Sequence, residues 1–434
     1  MRYLLACIFT FYCFAASAQT LKVFHIDVNQ GDATLIVAPN GRTLLIDSGG
    51  NGRGRQIVAV MQAEGLNRID HYVTTHYHED HYGGIDEVVA AGIPVIQAYD
   101  RGHKEDEAGD RFDEYQTSVG EDAIVLVPGT LIKLDADMKI TTISSSGAVL
   151  GDNHPLTTDD ENDLSASLLI EYGNFSMFVG GDIHSPIEQK IAATNVVKNV
   201  DVYQGNHHGS HTSSDKAFLD VMLPQVVVIS NGDHGGHRHP RQVTLDTLEG
   251  LNPTPTIFQT NKLIKVGATG GNVPDMFIAD LDPRDFEGTI QIDVDQTKGT
   301  FTVSYRNGAT SIEFLIDPPV TQAISGAGGV LIASVLPNPV GSDKDLEVVV
   351  LVNNTTNIIS LEGWVLRDAA GLTWELNASH SLPPGMQLSL VRNGQAMSLN
   401  NGGDEISLID SSGKLRDLFA YSGSSEGTVI ETHH

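Results

Sequence analysis

THYHEDHYGG, residues 75–84, puts three histidines, a glutamate and an aspartate into six consecutive positions (76–81) and closes on two glycines. The run follows IDHYVTT (69–75), whose apolar and β-branched residues read as a strand. On an extended segment leaving that strand, residues two apart point the same way, so His76 and His78 can hold one ion. After the bend, Asp80 and His81 can face a second. Imidazole and carboxylate are ordinary zinc ligands and also suit manganese or iron. Gly83 and Gly84 allow a tight turn where a helix begins. A polar surface loop with chance histidines is the alternative reading, and four ligands at this spacing after a strand argue against it.

Two ions need further ligands. GGD (180–182) follows the strand-like FSMFV (175–179), so Asp182 stands at a strand end where one carboxylate can serve both ions. HHGS (207–210) follows VDVYQ (200–204) in the same way. Each turn alone is a weak signal; their order and their common place at strand ends make them a set. Asp47, in LLIDSGG, ends another strand.

These motifs resemble the metallo-β-lactamase-fold hydrolases over roughly residues 20–280. The resemblance implies that Asp47 orients the metal loop without being a ligand, that Asp182 bridges the ions, and that the HHGS pair supplies a ligand, for which His208 is preferred, with His207 free to donate a proton or touch substrate. One motif departs from the common pattern: where most members carry a third histidine, this chain has Asn162-Asp163-Leu164-Ser165, and His154 lies nearby in a loop. The Asn162-x-x-Ser165 replacement, with HIDVNQGDA (25–33), SLLIEYG (167–173), HHGSHTSS (207–214) and GHRHP (236–240), resembles the soluble hydrolase domain of the DNA-uptake protein ComEC. The ComEC channel has no counterpart in this sequence.

The resemblance implies two divalent ions, Zn or Mn, and phosphodiester cleavage, with a nucleic acid among the candidate substrates. Two such ions lower the pKa of a shared water and supply hydroxide near neutral pH. Asp80 can orient that nucleophile, and His207, His237 or His239 can protonate the leaving group. Gln30 and Asp32 are candidate substrate contacts, although a plain hairpin turn explains QGD almost as well. An ester, lactone or lactam is the alternative substrate class. A non-catalytic surface-binding or scaffold protein is the alternative from outside enzymology.

Composition bounds these readings. At 434 residues the chain is too long for one core, and 26 Lys plus Arg against 55 Asp plus Glu give a net charge of −29. So acidic a chain does not carry a general nucleic-acid-binding surface, although a local site remains open. Residues 1–18 read as a secretory signal: Arg2, an apolar run, and a small-residue cleavage site at Ala16-Ser17-Ala18. Both cysteines, Cys7 and Cys13, fall inside it, so the mature chain offers no disulfide and no thiolate ligand. The expected destination is periplasmic, extracellular or surface-held, with no integral membrane segment in the mature chain.

The expected architecture is α+β: a metallo-β-lactamase αββα sandwich over 19–282, a β-hairpin and linker over 283–326, and an all-β immunoglobulin-like sandwich over 327–434. The last part resembles a lamin-tail domain in VLPNP (335–339), the strand around Glu347, LEGWVLRD (361–368), LPPG (382–385) and LNNGGDEISLID (399–410). Trp364 reads as core packing, and a cell-surface or extracellular ligand is the partner expected of such an appended module.

Overall fold

The computed structural model describes residues 20–102, 112–120, 122–233, 236–308 and 310–316. It also describes 329–431, with breaks at 340–344, 356, 369–370, 378–379, 385, 412–413 and 422. The expected signal segment with its Ala18 cleavage site, and nearly all of the linker, lie outside the described residues.

The first unit runs, in chain order, through strands β1 (Leu21–His25), β2 (Thr34–Val37), β3 (Thr43–Ile46), β4 (His71–Val73), β5 (Ala98–Asp100), β6 (Ile124–Val125), β7 (Leu131–Ile132), β8 (Met138–Ser145), β9 (Ala148–Val149), β10 (Ser167–Tyr172), β11 (Phe175–Val179), β12 (Val202–Gln204), β13 (Val226–Ile229), β14 (Thr256–Asn261), β15 (Ile278–Asp280), β16 (Ile290–Asp295), β17 (Thr300–Tyr305) and β18 (Ser311–Leu315). Its helices are α1 (Gly54–Ala63), α2 (Glu79–Tyr82), α3 (Ile85–Ala90), α4 (Phe112–Val119), α5 (Ser185–Thr194), α6 (Lys216–Met222) and α7 (Gln242–Glu249). One sheet has the order β18-β17-β16-β1-β2-β3-β4-β5-β6; the other has β15-β14-β13-β12-β11-β10-β8-β7, with β9 on β8.

Period-two alternation sorts the side chains between layers. On β11, Phe175, Met177 and Val179 enter the core between the sheets, while Phe178 faces the helices. On β13, Val226 and Val228 take the first direction and Val227 and Ile229 the second. Ile187, Ile191, Phe218, Leu219, Leu245 and Leu248 bring α5, α6 and α7 onto the second sheet. Ile57, Met61, Ile85, Val88, Phe112 and Tyr115 bring α1, α3 and α4 onto the first. The result is the expected αββα sandwich.

The hairpin read within 283–326 forms, but it is not a separate unit. β16 pairs antiparallel with β1 from Leu21 opposite Val294 to His25 opposite Ile290. Ile290, Ile292, Val294, Phe301 and Val303 are buried between the sheets. The sandwich therefore continues to residue 315. Without the hairpin, β1 would be a bare edge strand with unpaired backbone groups.

The second unit is all β among the described residues. Val330–Leu336, Val348–Asn353, Gln387–Val391 and Ile430–Glu431 form one four-stranded sheet. Val365–Asp368, Thr373–Glu375, Asp404–Ile409 and Leu415–Tyr421 form another. Trp364 and Trp374 are buried in the core of this unit with Val349, Leu351, Ile406 and Leu408, as core packing requires. Glu347 is buried too, accepting from the Leu399 amide (3.1 Å) and facing Arg392 (3.2 Å). No described helix is long and apolar enough to cross a membrane.

Candidate metal centre

β3 and β4 run parallel, as do β11 through β15, so the loops leaving these strands gather at the strands' C-terminal ends, the usual ligand edge of such sheets. Close backbone approach holds the metal loop in place. A Cβ on Gly84 would lie 2.3 Å from the Ser48 carbonyl oxygen. Gly31, at φ +129°, presses its backbone onto Asp80, where an added Cβ would lie 2.4 Å from the carbonyl oxygen. This packing is the physical reason for glycine in QGD.

Asp182 is the hub. Its Oδ2 lies 3.9 Å from His76 Nε2 and 3.6 Å from His208 Nε2, and its Oδ1 lies 3.3 Å from His81 Nε2. His78 Nδ1 is 3.0 Å from His76 Nε2, and Asp80 Oδ2 is 3.5 Å from His208 Nε2. Two sets emerge with Asp182 in both: His76, His78 and Asp182; and Asp32, His81, Asp182 and His208, with ligand atoms within 4.8 Å of one another in each. His81 Nε2, His208 Nε2 and Asp182 Oδ1 are buried without a hydrogen-bond partner, a cost that coordination would remove. The donor set therefore fits divalent ions.

The neighbours fix the ring orientations. His81 Nδ1 lies 2.8 Å from Asp47 Oδ2, and His208 Nδ1 lies 3.1 Å from the Ser230 carbonyl; donating there leaves each Nε2 lone pair for an ion. Thr75 donates its hydroxyl to Asp47 (2.8 Å) and so offers its oxygen to His76 Nδ1 (3.2 Å). Asp47 thus orients His81 directly and His76 through Thr75, and it belongs to neither ligand set. Burial opposes charge throughout, yet Asp182, Asp32 and Asp80 overcome it at His208 and push it up to about 9. Burial, then repulsion from His81, holds His76 well below the usual range. Burial also opposes ionisation of Asp182, but His81 and His208 hold it well below the ordinary carboxylate range. An ion at the His208 side would compete with the proton that these carboxylates favour there.

The third-motif replacement splits into two roles. Ser165 is fully buried and its hydroxyl accepts from the Asp182 amide (3.3 Å), which positions the hub. Asn162 lines the cleft with Oδ1 buried and unpartnered, while Nδ2 donates to His184 Nε2 (3.2 Å). His184 also lies 3.6 Å from Asp163 Oδ1. Glu161 accepts from the Tyr77 amide (2.6 Å) and from Arg101 Nε (2.8 Å), tying this loop to the metal loop. His154 is exposed beside Asp152, away from the cleft.

A cleft of about 690 Å³ opens over the centre and is lined by Gln30, Asp80, His207, His237 and His239 among others. Asp32 differs from expectation: it is buried 3.8 Å from His208 Nδ1, off the cleft wall, and joins a ligand set instead of facing substrate. His207 and His208 both aim Nε2 at Asp182 Oδ2, at 3.7 and 3.6 Å. Only His208 is fully buried and in a ligand set; His207 is part-exposed to the cleft, its Nδ1 on Thr212 (2.9 Å). Burial lowers His207 to about 4 and His239 to about 2, so both are neutral near pH 7. Thr75, His184, Glu161 and Arg53 escaped the sequence reading; each acts through a partner distant in the chain, and no local motif marks it.

Residues 26–233 match the metallo-beta-lactamase superfamily, and residues 323–423 match the Lamin Tail Domain. The chain thus carries a metallo-β-lactamase domain, the fold of metal-dependent hydrolases, followed by a lamin tail domain. Among curated proteins it is similar to Recombination protein 2 of Haemophilus influenzae, at 28% identity over 54% of this chain and 27% of that protein. It is also similar to ComE operon protein 3 of Bacillus subtilis, at 24% identity over 56% of this chain and 32% of that one. The chain therefore spans less than a third of either relative, and the similarity is to a ComEC-like hydrolase domain. Among solved structures, Zn(2+)-bound PqqB from Methylobacterium extorquens aligns at 15% identity over 54% of this chain and 87% of that one, with a TM-score of 0.35. A diphosphatase of the PhnP family aligns at 15% identity over 61% and 85%, with a TM-score of 0.32.

Proposed function

We propose that the first unit is an exported metal-dependent phosphodiesterase, with nuclease its leading subtype. The observation that carries this reading is the shared carboxylate: Asp182 faces His76 at 3.9 Å, His81 at 3.3 Å and His208 at 3.6 Å, the demand that two ions with a common ligand make. His76, His78 and Asp182 would hold one ion; Asp32, His81, Asp182 and His208 would hold the other, with Asp80 Oδ2 3.5 Å from His208 Nε2 on the cleft side. Zn and Mn suit such nitrogen and oxygen donors. When bound, the ions supply an acidified water and positive charge for an anionic transition state. His237 and His239 sit at the cleft, and His239, held neutral by burial, could donate its imidazole N–H to a leaving group there. His207 serves that purpose less well, because its Nδ1 is engaged by Thr212.

Phosphodiester chemistry is supported by a relative named for recombination, and by Asn162-x-x-Ser165 in place of a third histidine. Export rests on the leader-like residues 1–18, and a surface ligand for the C-terminal domain rests on its place as an appended module. Purified protein with Mn²⁺ or Zn²⁺ should cleave bis(p-nitrophenyl) phosphate. His78→Ala should lower kcat/KM by about 100-fold or more, since it removes a ligand outright. Turnover of nitrocefin with none of phosphodiesters would replace this reading with the lactam one. Absence of bound metal by elemental analysis would favour a scaffold.

A further inference from the structure

The ions account for the scissile group alone, and the remaining cleft wall says what flanks it. Among the described residues that line the cleft, Arg53 is the only lysine or arginine, in a chain of net charge −29. Its position is built. The guanidinium lies 4.5 Å over the ring of Phe286, and Arg55 lies 5.6 Å from the same ring. Phe286 itself sits at φ +58°, a left-handed conformation that a bulky residue adopts only when its surroundings impose it. The surroundings do so: Asn29 Nδ2 donates to the Pro283 carbonyl (3.1 Å), the Gly288 amide donates to Asp27 (3.0 Å), and the Glu287 amide donates to Asp280 (3.2 Å).

On the other side, Glu87 accepts from the amides of Gly52 and Gly54, so the start of α1 is already occupied by a carboxylate and is not an anion site. A Cβ on Gly50 would lie 3.8 Å from Asp80 Cα, which sets the Arg53 loop directly against the metal loop. The cleft therefore joins a candidate divalent-ion centre to one cation, Arg53, which is buttressed from behind by Phe286.

We propose that Arg53 is a specificity-determining residue that binds the phosphate next to the scissile one, so that the substrate is a single-stranded oligonucleotide chain. This rests on the phosphodiesterase reading. An isolated phosphodiester needs no second cation. A duplex would bring two rows of phosphates to an acidic surface that offers one arginine at the cleft. A single strand brings one row of phosphates and needs one cation per neighbouring phosphate.

The test compares kcat/KM of metal-loaded full-length protein on oligothymidylate and on bis(p-nitrophenyl) phosphate. In Arg53→Ala the ratio of the two values should fall about 10-fold, through KM for the oligonucleotide. Arg53→Lys should restore part of it, since the charge remains and the planar stack is lost. The salt dependence of log KM should flatten by about 0.7 in Arg53→Ala, one phosphate contact on a single strand. Equal losses on both substrates, or an unchanged salt slope, would sink the Arg53 assignment and leave the phosphodiesterase reading standing. Wild-type protein inert on both substrates would sink that reading and this one with it. An Arg53-dependent preference for poly(glycerol phosphate) over oligothymidylate would overturn the choice of nucleic acid.

Discussion

Asp47 shows how much one buried carboxylate can organise. It sits at φ +58° at the end of β3 and accepts from the Thr75 amide, the Thr75 hydroxyl and His81 Nδ1, each at 2.8 Å. Burial raises its pKa, and the His81 charge and these donors oppose that rise. Removing it frees His81 to rotate and unties Thr75 from His76, so both ligand sets loosen at once. Asp47→Ala is expected to weaken metal binding by about 10–100-fold, measured by competition with a chelator, without removing any ligand. Unchanged affinity would mean that packing alone orients His81. The candidate ligands that gather around Asp182 were legible because a short run of histidines at fixed spacing is improbable by chance. Arg53 and Phe286 were not, because the contact that defines them joins positions 233 residues apart and neither belongs to a motif.

At the scale of the element, the turn after β12 carries an unusual load. His207 (φ 51°) and His208 (φ 55°) are consecutive left-handed residues with side chains, a conformation costing about 1 kcal/mol or more each. The framework that holds them is fully buried Glu188 on α5. It accepts from Asn206 Nδ2 (2.7 Å), the Ser214 amide (2.8 Å) and the Asp215 amide (2.7 Å), clamping both sides of the turn. Burial outweighs these donors and raises Glu188 from 4.5 to about 7. The folded state then holds this proton more tightly than the unfolded one. The contribution of Glu188 to stability is therefore complete below about pH 4.5 and shrinks as pH rises to about 7, by roughly 3 kcal/mol in total.

In Glu188→Gln that slope disappears, and the new amide N–H opposes the Asp215 amide, a mismatch of about 1–3 kcal/mol. Urea midpoints are expected to show the variant less stable than wild type at pH 5, with the gap narrowing by about 2–3 kcal/mol towards pH 8. A gap independent of pH would mean that Glu188 does not titrate in this range. HHGS pointed to the histidines in the sequence, but nothing there marked the glutamate 19 residues upstream of His207, because a buried carboxylate on a helix reads as an ordinary surface residue.

For the whole molecule, the strand and helix pattern sufficed for a first α+β unit of helix-covered sheets and a second all-β unit, the family resemblance supplied the αββα sandwich, and the pattern misjudged where the first unit ends. The change from mixed α/β pattern to plain β alternation near 283 suggested a boundary, yet pattern reports local structure and not pairing partners. β16 returns to β1, more than 260 residues earlier in the chain. Its hairpin also carries the stacked Phe301–Phe314 pair into the inter-sheet core, with ring centres 5.2 Å apart.

Two fragments separate these boundaries. A chain ending at residue 316 keeps both sheets intact and should fold and turn over a small soluble phosphodiester at a rate within about 2-fold of full length, since the lamin tail domain has its own core. A chain ending at 289 loses Ile290, Ile292, Val294, Phe301, Val303 and Phe314, each worth about 1.5–3 kcal/mol buried, a total on the order of 10 kcal/mol. That equals or exceeds the whole stability of a typical domain, so this fragment should be unfolded by circular dichroism or insoluble. Cooperative folding of the shorter fragment would show that β1 tolerates exposure as an edge. Loss of turnover in the longer one would give the lamin tail domain a part in the active site.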